Sequence, residues 1–160
     1  MNMNSQRGIT LAEMMVTISI IGIMAVVSVP AFVKRNEAQK LQVAANLVST
    51  KVMMARQNAV AKKARYRIEF NYTTRKFRML REATPGVWEL DPPNNMYEIP
   101  AGIIISSTST PADGTIEIEP RGTVNQTDLP VVIRLKDNNN VLKSIRVSRA
   151  GMVKESNLWD

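Results

Sequence analysis

No cysteine and no histidine occur anywhere in the 160 residues. Without cysteine there is neither a disulfide framework nor a thiolate metal site, so a domain exported to an oxidising compartment must rely on its core alone. Without histidine the commonest general base and the commonest metal ligand are missing. Hydrolytic, nucleophilic and zinc chemistry therefore lack their usual players, and the sequence predicts neither an enzyme nor a metal or cofactor site. Helix breakers are scarce as well. Between Ile9 and Lys63 only Gly22 and Pro30 interrupt, which predicts one long helix, with Pro30 deleting a backbone donor and bending or loosening it locally.

What is present begins with "RGITLAEMMVTISIIGIMAVVSVPAF", residues 7 to 32. From Met14 to Val33 no side chain is charged. At about 1.5 Å of rise per residue this run reaches roughly 30 Å, the hydrocarbon thickness of a bilayer. Glu13 stands at its mouth. A carboxylate near membrane depth costs several kcal/mol unless it is paired, so Glu13 calls for a cationic partner. A cut after Gly8 would supply one, because the new α-ammonium of Ile9 would lie one helical turn away, in the same or an adjacent subunit. An ordinary secretory signal ending near Val29-Pro30-Ala31 has a shorter apolar core and gives Glu13 no purpose. A plain single-pass anchor explains the length but neither Gly8 nor Glu13.

The stretch Arg7-Gly8-Ile9-Thr10-Leu11-Ala12-Glu13-Met14-Met15-Val16 resembles the leader and processing site of type IV prepilins and type II secretion pseudopilins. In that family a short basic leader ends in glycine, cleavage follows it, the new N-terminus is methylated, and glutamate is the fifth mature residue. Ile9 and Ala12 depart from the commonest residues at their positions. The resemblance implies cleavage between Gly8 and Ile9 by prepilin peptidase, methylation of Ile9, and assembly with other pilins or pseudopilins through Glu13. It also implies a single pass through the bacterial inner membrane, with the C-terminal domain in the periplasm or outside the cell. On physical grounds Glu13 would set register, since sliding apolar helices past one another changes little buried area whereas an unpaired charge is costly.

The chain then divides into a leader (1–8), a transmembrane and assembly helix (9–33), an amphipathic half-helix (34–63) and a β-rich head (64–160). In the half-helix, Leu41, Ala45, Val48, Val52, Ala55 and Ala59 alternate spacings of four and three, one apolar seam. After Lys63 the period becomes two. Strands are expected at 66–70, 76–80, 87–90, 102–106, 115–119, 131–136 and 142–148, with 92–95 and 106–114 as exposed loops. The expected class is α+β: a long N-terminal helix, transmembrane in its first half, packed on a small antiparallel β-sandwich-like domain, which is the pilin fold. Strand spacing and two strand-ending glycines, Gly122 and Gly151, resemble the minor-pilin group that includes the H pseudopilin of type II secretion and the FimT-type pilins.

Charge is segregated along the chain. Residues 34 to 81 carry thirteen Lys or Arg against Glu37 and Glu69, residues 82 to 120 carry seven acids and no base, and 121 to 160 carry seven bases and four acids. Such segregation can align unlike neighbours in an assembly, or bind an anionic polymer or a membrane surface. Two functions follow. One is a minor pilin or pseudopilin subunit of a type IV pilus or a secretion pseudopilus. The alternative is a DNA-binding minor pilin for DNA uptake. Some FimT-type pilins bind DNA through a Gly-Arg-x-Arg tail, and here Gly151-Met152-Val153-Lys154 occupies that place. Arg146, Arg149 and Lys154 are the candidate phosphate contacts, without aromatic residues between them to stack bases.

Overall fold

The computed structural model describes residues 9–93, 95–106, 113–125 and 129–157, and for 27–34 and 157 the backbone alone. One helix, α1 (Leu11–Lys62), is followed by nine strands: β1 (Tyr66–Asn71), β2 (Lys76–Thr84), β3 (Val87–Leu90), β4 (Met96–Glu98), β5 (Ile104–Ile105), β6 (Thr115–Ile118), β7 (Val131–Lys136), β8 (Leu142–Val147) and β9 (Val153–Asn157). The described residues fall into two compact units, divided between Asn36 and Glu37.

In the second unit the strands make two antiparallel sheets. The first has the order β3-β2-β1-β6 with β4 also paired to β2, and the second has the order β5-β7-β8-β9. Local chemistry sets the hairpins. At the β1–β2 turn the Asn71 side-chain oxygen accepts from the amides of Thr73 (3.1 Å) and Thr74 (2.9 Å), and Arg75 completes the turn at φ 57°. At the β7–β8 turn Asp137 does the same for Asn139 (2.9 Å) and Val141 (2.8 Å), with Asn140 at φ 63°. These bonds fix the register Tyr66↔Arg81 in one hairpin and Val131↔Val147 in the other.

The core lies between the second half of α1 and the inward faces of the strands. All six seam residues, Leu41, Ala45, Val48, Val52, Ala55 and Ala59, are buried, together with Ala44. Four of those seven are alanines, so strands approach the helix closely, and the bulk comes from the sheets: Tyr66, Ile68, Phe77, Met79 and Ile116 on one, Ile133, Leu135 and Ile145 on the other. The sheets are joined by an isolated bridge, Ile118↔Val124, and by the Val124 amide donating to the Arg149 carbonyl at 2.9 Å.

The class and the seam are as the sequence predicts. Several details differ. β4 is three residues long, too short for a period to show, and β9 is built from Val153, Lys154, Glu155, Ser156 and Asn157, a composition poor in strand formers. It forms because β8 offers a paired edge and Glu155 is anchored on α1: Ser49 Oγ donates to Glu155 Oε1 at 2.8 Å, Gln42 Nε2 to Oε2 at 3.3 Å, and Lys143 Nζ lies 3.3 Å from Oε2. The expected strand at 102–106 shrinks to Ile104–Ile105 because Gly102 turns at φ 88°. Asn95, expected in an exposed loop, is buried, and its side-chain amide donates to the Asp91 carbonyl at 3.2 Å. Most of the expected loop at 106–114 lies outside the described residues.

Part of the segregated charge is paired within the head itself. Acids of the 82–119 stretch fold onto bases of the 62–81 stretch: Asp91 on Lys62 (2.6 Å), Glu82 on Arg65 (2.7 Å), Glu117 on Arg67, with looser pairs Lys76–Glu98 and Arg81–Glu89 at 3.9 Å each. Complementarity is satisfied largely inside one head, because β1 and β2 lie beside the strands that carry the acids.

Candidate assembly site

The N-terminal turn of α1 carries Ile9 and Glu13. Gly8 lies outside the described residues. Thr10 and Glu13 form a reciprocal cap: the Glu13 amide donates to Thr10 Oγ1 at 3.2 Å, and the Thr10 amide and hydroxyl each donate to Glu13 Oε2 at 3.1 Å. This Thr-x-x-Glu box satisfies two helix N-terminal donors and sets a carboxylate at the positive end of the helix dipole. It was legible in the sequence as T-x-x-E before an apolar run, yet the reading of Glu13 as a charge awaiting an ammonium passed over it. Both residues lie C-terminal to the expected cut, so the box survives processing. Oε1 takes no hydrogen bond among the described residues, leaving the carboxylate able to meet a further cation.

Behind the cap, large apolar side chains stand in the open. Ile9, Leu11, Met14, Met15, Val16, Ile18, Ile20, Ile21, Ile23, Met24 and Val26 are each at least half exposed. A continuous apolar surface of this kind needs a lipid or protein cover. The hydroxyls within it are compatible with either: Thr17 donates to the Met14 carbonyl at 2.9 Å and Ser19 to the Met15 carbonyl at 2.8 Å, so neither brings an unsatisfied donor into an apolar medium. No helix among the described residues is long and apolar enough to cross a membrane. The expected span, Met14 to Val33, runs into the residues described by backbone alone. Pro30 falls there too; the helical backbone continues through it.

In the tail, Arg146 and Lys154 are register partners on β8 and β9 and both point away from the core, while Arg149 sits in the exposed turn that follows β8. Strand pairing thus brings two of the three candidate phosphate contacts side by side and leaves the third off the sheet. Lys136, on β7 of the same sheet face, was missed. The signal was available, since V-V-I-R-L-K alternates and the Asp-Asn-Asn-Asn turn fixes its register against β8. Among the described residues no group of three or more carboxylates is arranged to hold a metal.

A family model described as the prokaryotic N-terminal methylation motif matches residues 3–29. Over 76% of its length the chain is similar in fold to the minor pseudopilin EpsH of the type 2 secretion system of Vibrio cholerae (TM-score 0.60, 12% identity, 99% of that chain). It is equally similar to the type IV minor pilin FimU of Pseudomonas aeruginosa (TM-score 0.60, 17% identity, 78% and 92%). The chain thus carries a prokaryotic N-terminal methylation motif at the head of a fold like that of these minor pilin and pseudopilin structures. No curated protein matches it. The methylation motif encloses Gly8, Ile9 and Glu13. The similar structures are subunits of a secretion system and of a pilus rather than enzymes. Nothing in them supports the DNA-uptake alternative, and the tail has Met152 where the DNA-binding motif has its first arginine.

Proposed function

We propose that this chain is a minor pilin or pseudopilin subunit that prepilin peptidase cuts between Gly8 and Ile9, that is methylated on Ile9, and that assembles through Glu13. The observation that carries the reading is a capped acid at the head of an uncovered apolar helix, inside a methylation motif, on a minor-pilin fold.

Physics orders the steps. Residues 9–33 hold the unassembled subunit in the bacterial inner membrane, with the leader in the cytoplasm and the head in the periplasm. Cleavage creates the ammonium of Ile9. In a bundle of such helices an unpaired ammonium and an unpaired carboxylate are both costly, so a helix docks where its Ile9 ammonium meets Glu13 of a neighbour. Repetition of that head-to-tail contact does not close and therefore builds a helical assembly, a type IV pilus or a secretion pseudopilus. Pro30 removes one backbone hydrogen bond and gives the packed helix a point of local give. The partners are other pilins or pseudopilins, the peptidase and the membrane.

Mass spectrometry of the mature N-terminus, taken from membranes of producing cells, should give a chain beginning at methylated Ile9. Gly8→Val should retain the leader. A chain that begins at Phe32 would mean ordinary signal cleavage and would end this reading.

A further inference from the structure

The two sheets of the head treat their outward charges differently. On the first, Arg67 lies against Glu117 and Glu69, Arg78 reaches Glu69 at 2.7 Å, and Arg67 also covers the ring of Trp88 at 4.0 Å. Cations there have acids or a π-face beside them. On the second sheet the outward row through Val132 runs Val132↔Arg146↔Lys154, and the end row pairs Ile104 and Leu142 with Lys136. Arg134 lies between those rows, opposite Ser144. No aspartate or glutamate occupies an outward position of this sheet among the described residues.

The face is also indented. A shallow groove of about 240 Å³ is lined by Pro130, Val132, Arg134, Ser144 and Arg146. Ser144 forms its floor, almost fully buried beneath its longer neighbours, with its hydroxyl 2.8 Å from that of Ser156. Arg134 and Arg146 line it, and Lys154, the register partner of Arg146, and Lys136, two residues along β7 from Arg134, share the same sheet face. Apolar surface is interleaved with this charge: Ile104 is 47% exposed, and Val132 and Leu142 are half-buried.

We propose that the outward face of the β5-β7-β8-β9 sheet docks an acidic surface of another protein, a carboxylate side chain entering the groove beside Arg146 and apolar residues covering Val132, Leu142 and Ile104. Charge complementarity selects the partner: Lys136, Arg146 and Lys154 stand on one face with no acid of their own sheet, and a like-charged surface is repelled. Interleaved apolar side chains select protein over nucleic acid. A phosphate backbone offers them nothing to bury against, and among the described residues no outward position of this sheet is aromatic, so bases find no ring there to stack on. The face shares no residue with the Glu13 cap, so substitutions in one leave the chemistry of the other unchanged.

The absence of cysteine makes the test specific. Val132→Cys in the full chain supplies a single thiol for a benzophenone-maleimide probe, applied to membranes from producing cells and photolysed. The expected result is an adduct mapping to a protein peptide rich in Asp or Glu. Its yield should fall about tenfold when Lys136→Glu, Arg146→Glu and Lys154→Glu are combined, three weak pairs being replaced by three repulsions. It should return when the mapped carboxylates of the partner are changed to lysine. The glutamine versions of the three changes, with an unaltered melting temperature, guard against misfolding and should lower the yield less. No adduct, an adduct indifferent to charge reversal, a partner peptide without carboxylates, or an adduct removed by nuclease would each overturn the proposal.

Discussion

Replacing Gly151 with alanine should destabilise the head by about 2–4 kcal/mol, against about 1 kcal/mol for the same change at Gly86. Both glycines have positive φ, 70° at Gly151 and 83° at Gly86, so both pay the left-handed penalty of a side chain, about 1–2 kcal/mol. Their surroundings differ. A Cβ on Gly86 meets nothing within 4 Å. A Cβ on Gly151 falls inside contact distance of the Gly122 carbonyl oxygen and 2.8 Å from Arg56 Cδ. The oxygen belongs to a backbone that cannot step aside freely: Arg56 Nε donates to it at 3.2 Å, and Gly122 is held by its own turn, its amide donating to the Glu119 carbonyl at 2.8 Å. The close approach of these two turns is where the sheets meet α1, so the cost should appear in global unfolding. Thermal and urea unfolding of the full chain in detergent, followed by circular dichroism of wild type, Gly86→Ala and Gly151→Ala, measures the difference. Equal losses at the two positions would refute the argument that backbone proximity, rather than φ alone, requires glycine at 151.

Asp91 is pushed up by burial, but hydrogen bonds from Lys62 and Tyr66 outweigh this and hold its carboxyl below the usual value, so its stabilisation is complete above about pH 4 and lost as pH falls through the lowered value. Asp91→Asn should therefore flatten the loss of melting temperature between pH 5 and pH 2, and an unchanged acid limb would contradict it. Tyr66, raised first by burial and then by its bond to Asp91, favours its neutral form in the folded state, so stability should decline as pH climbs above about 10. Lys143→Met removes the cation beside Glu155 and leaves it only the bonds from Ser49 and Gln42, which should cost about 1–2 kcal/mol, while adding Glu155→Leu should recover part of it; equal stability of the single and double variants would count against an uncompensated charge. At the helix head, Thr10→Val removes the cap, at about 1 kcal/mol of local helix stability, and should leave filament incorporation near normal. Glu13→Gln keeps an acceptor for the cap and Glu13→Leu does not, yet both should insert in the membrane and fail to join filaments, and incorporation of either at the wild-type level would remove the charge argument.

The sequence by itself determined whatever depends on neighbours a few residues apart. A helix from about residue 9 to 63 follows from the absence of breakers, and α1 runs Leu11–Lys62. The seam from Leu41 to Ala59 is a period, and every member of it is buried. The Arg7–Glu13 motif is a spacing, and the methylation model covers it. Tertiary structure decided what depends on residues far apart. β9 exists because Lys143, Gln42 and Ser49, each about a hundred residues or twelve residues away, converge on Glu155, which its own composition does not reveal. The sequence shows that bases and acids are segregated along the chain, but only folding lays Asp91, Glu82 and Glu117 against Lys62, Arg65 and Arg67. Gly122 and Gly151, each an ordinary turn glycine when read alone, touch through their backbones beside Arg56. A period survives in one dimension, whereas a partner thirty or a hundred residues away is fixed only when the chain closes on its core.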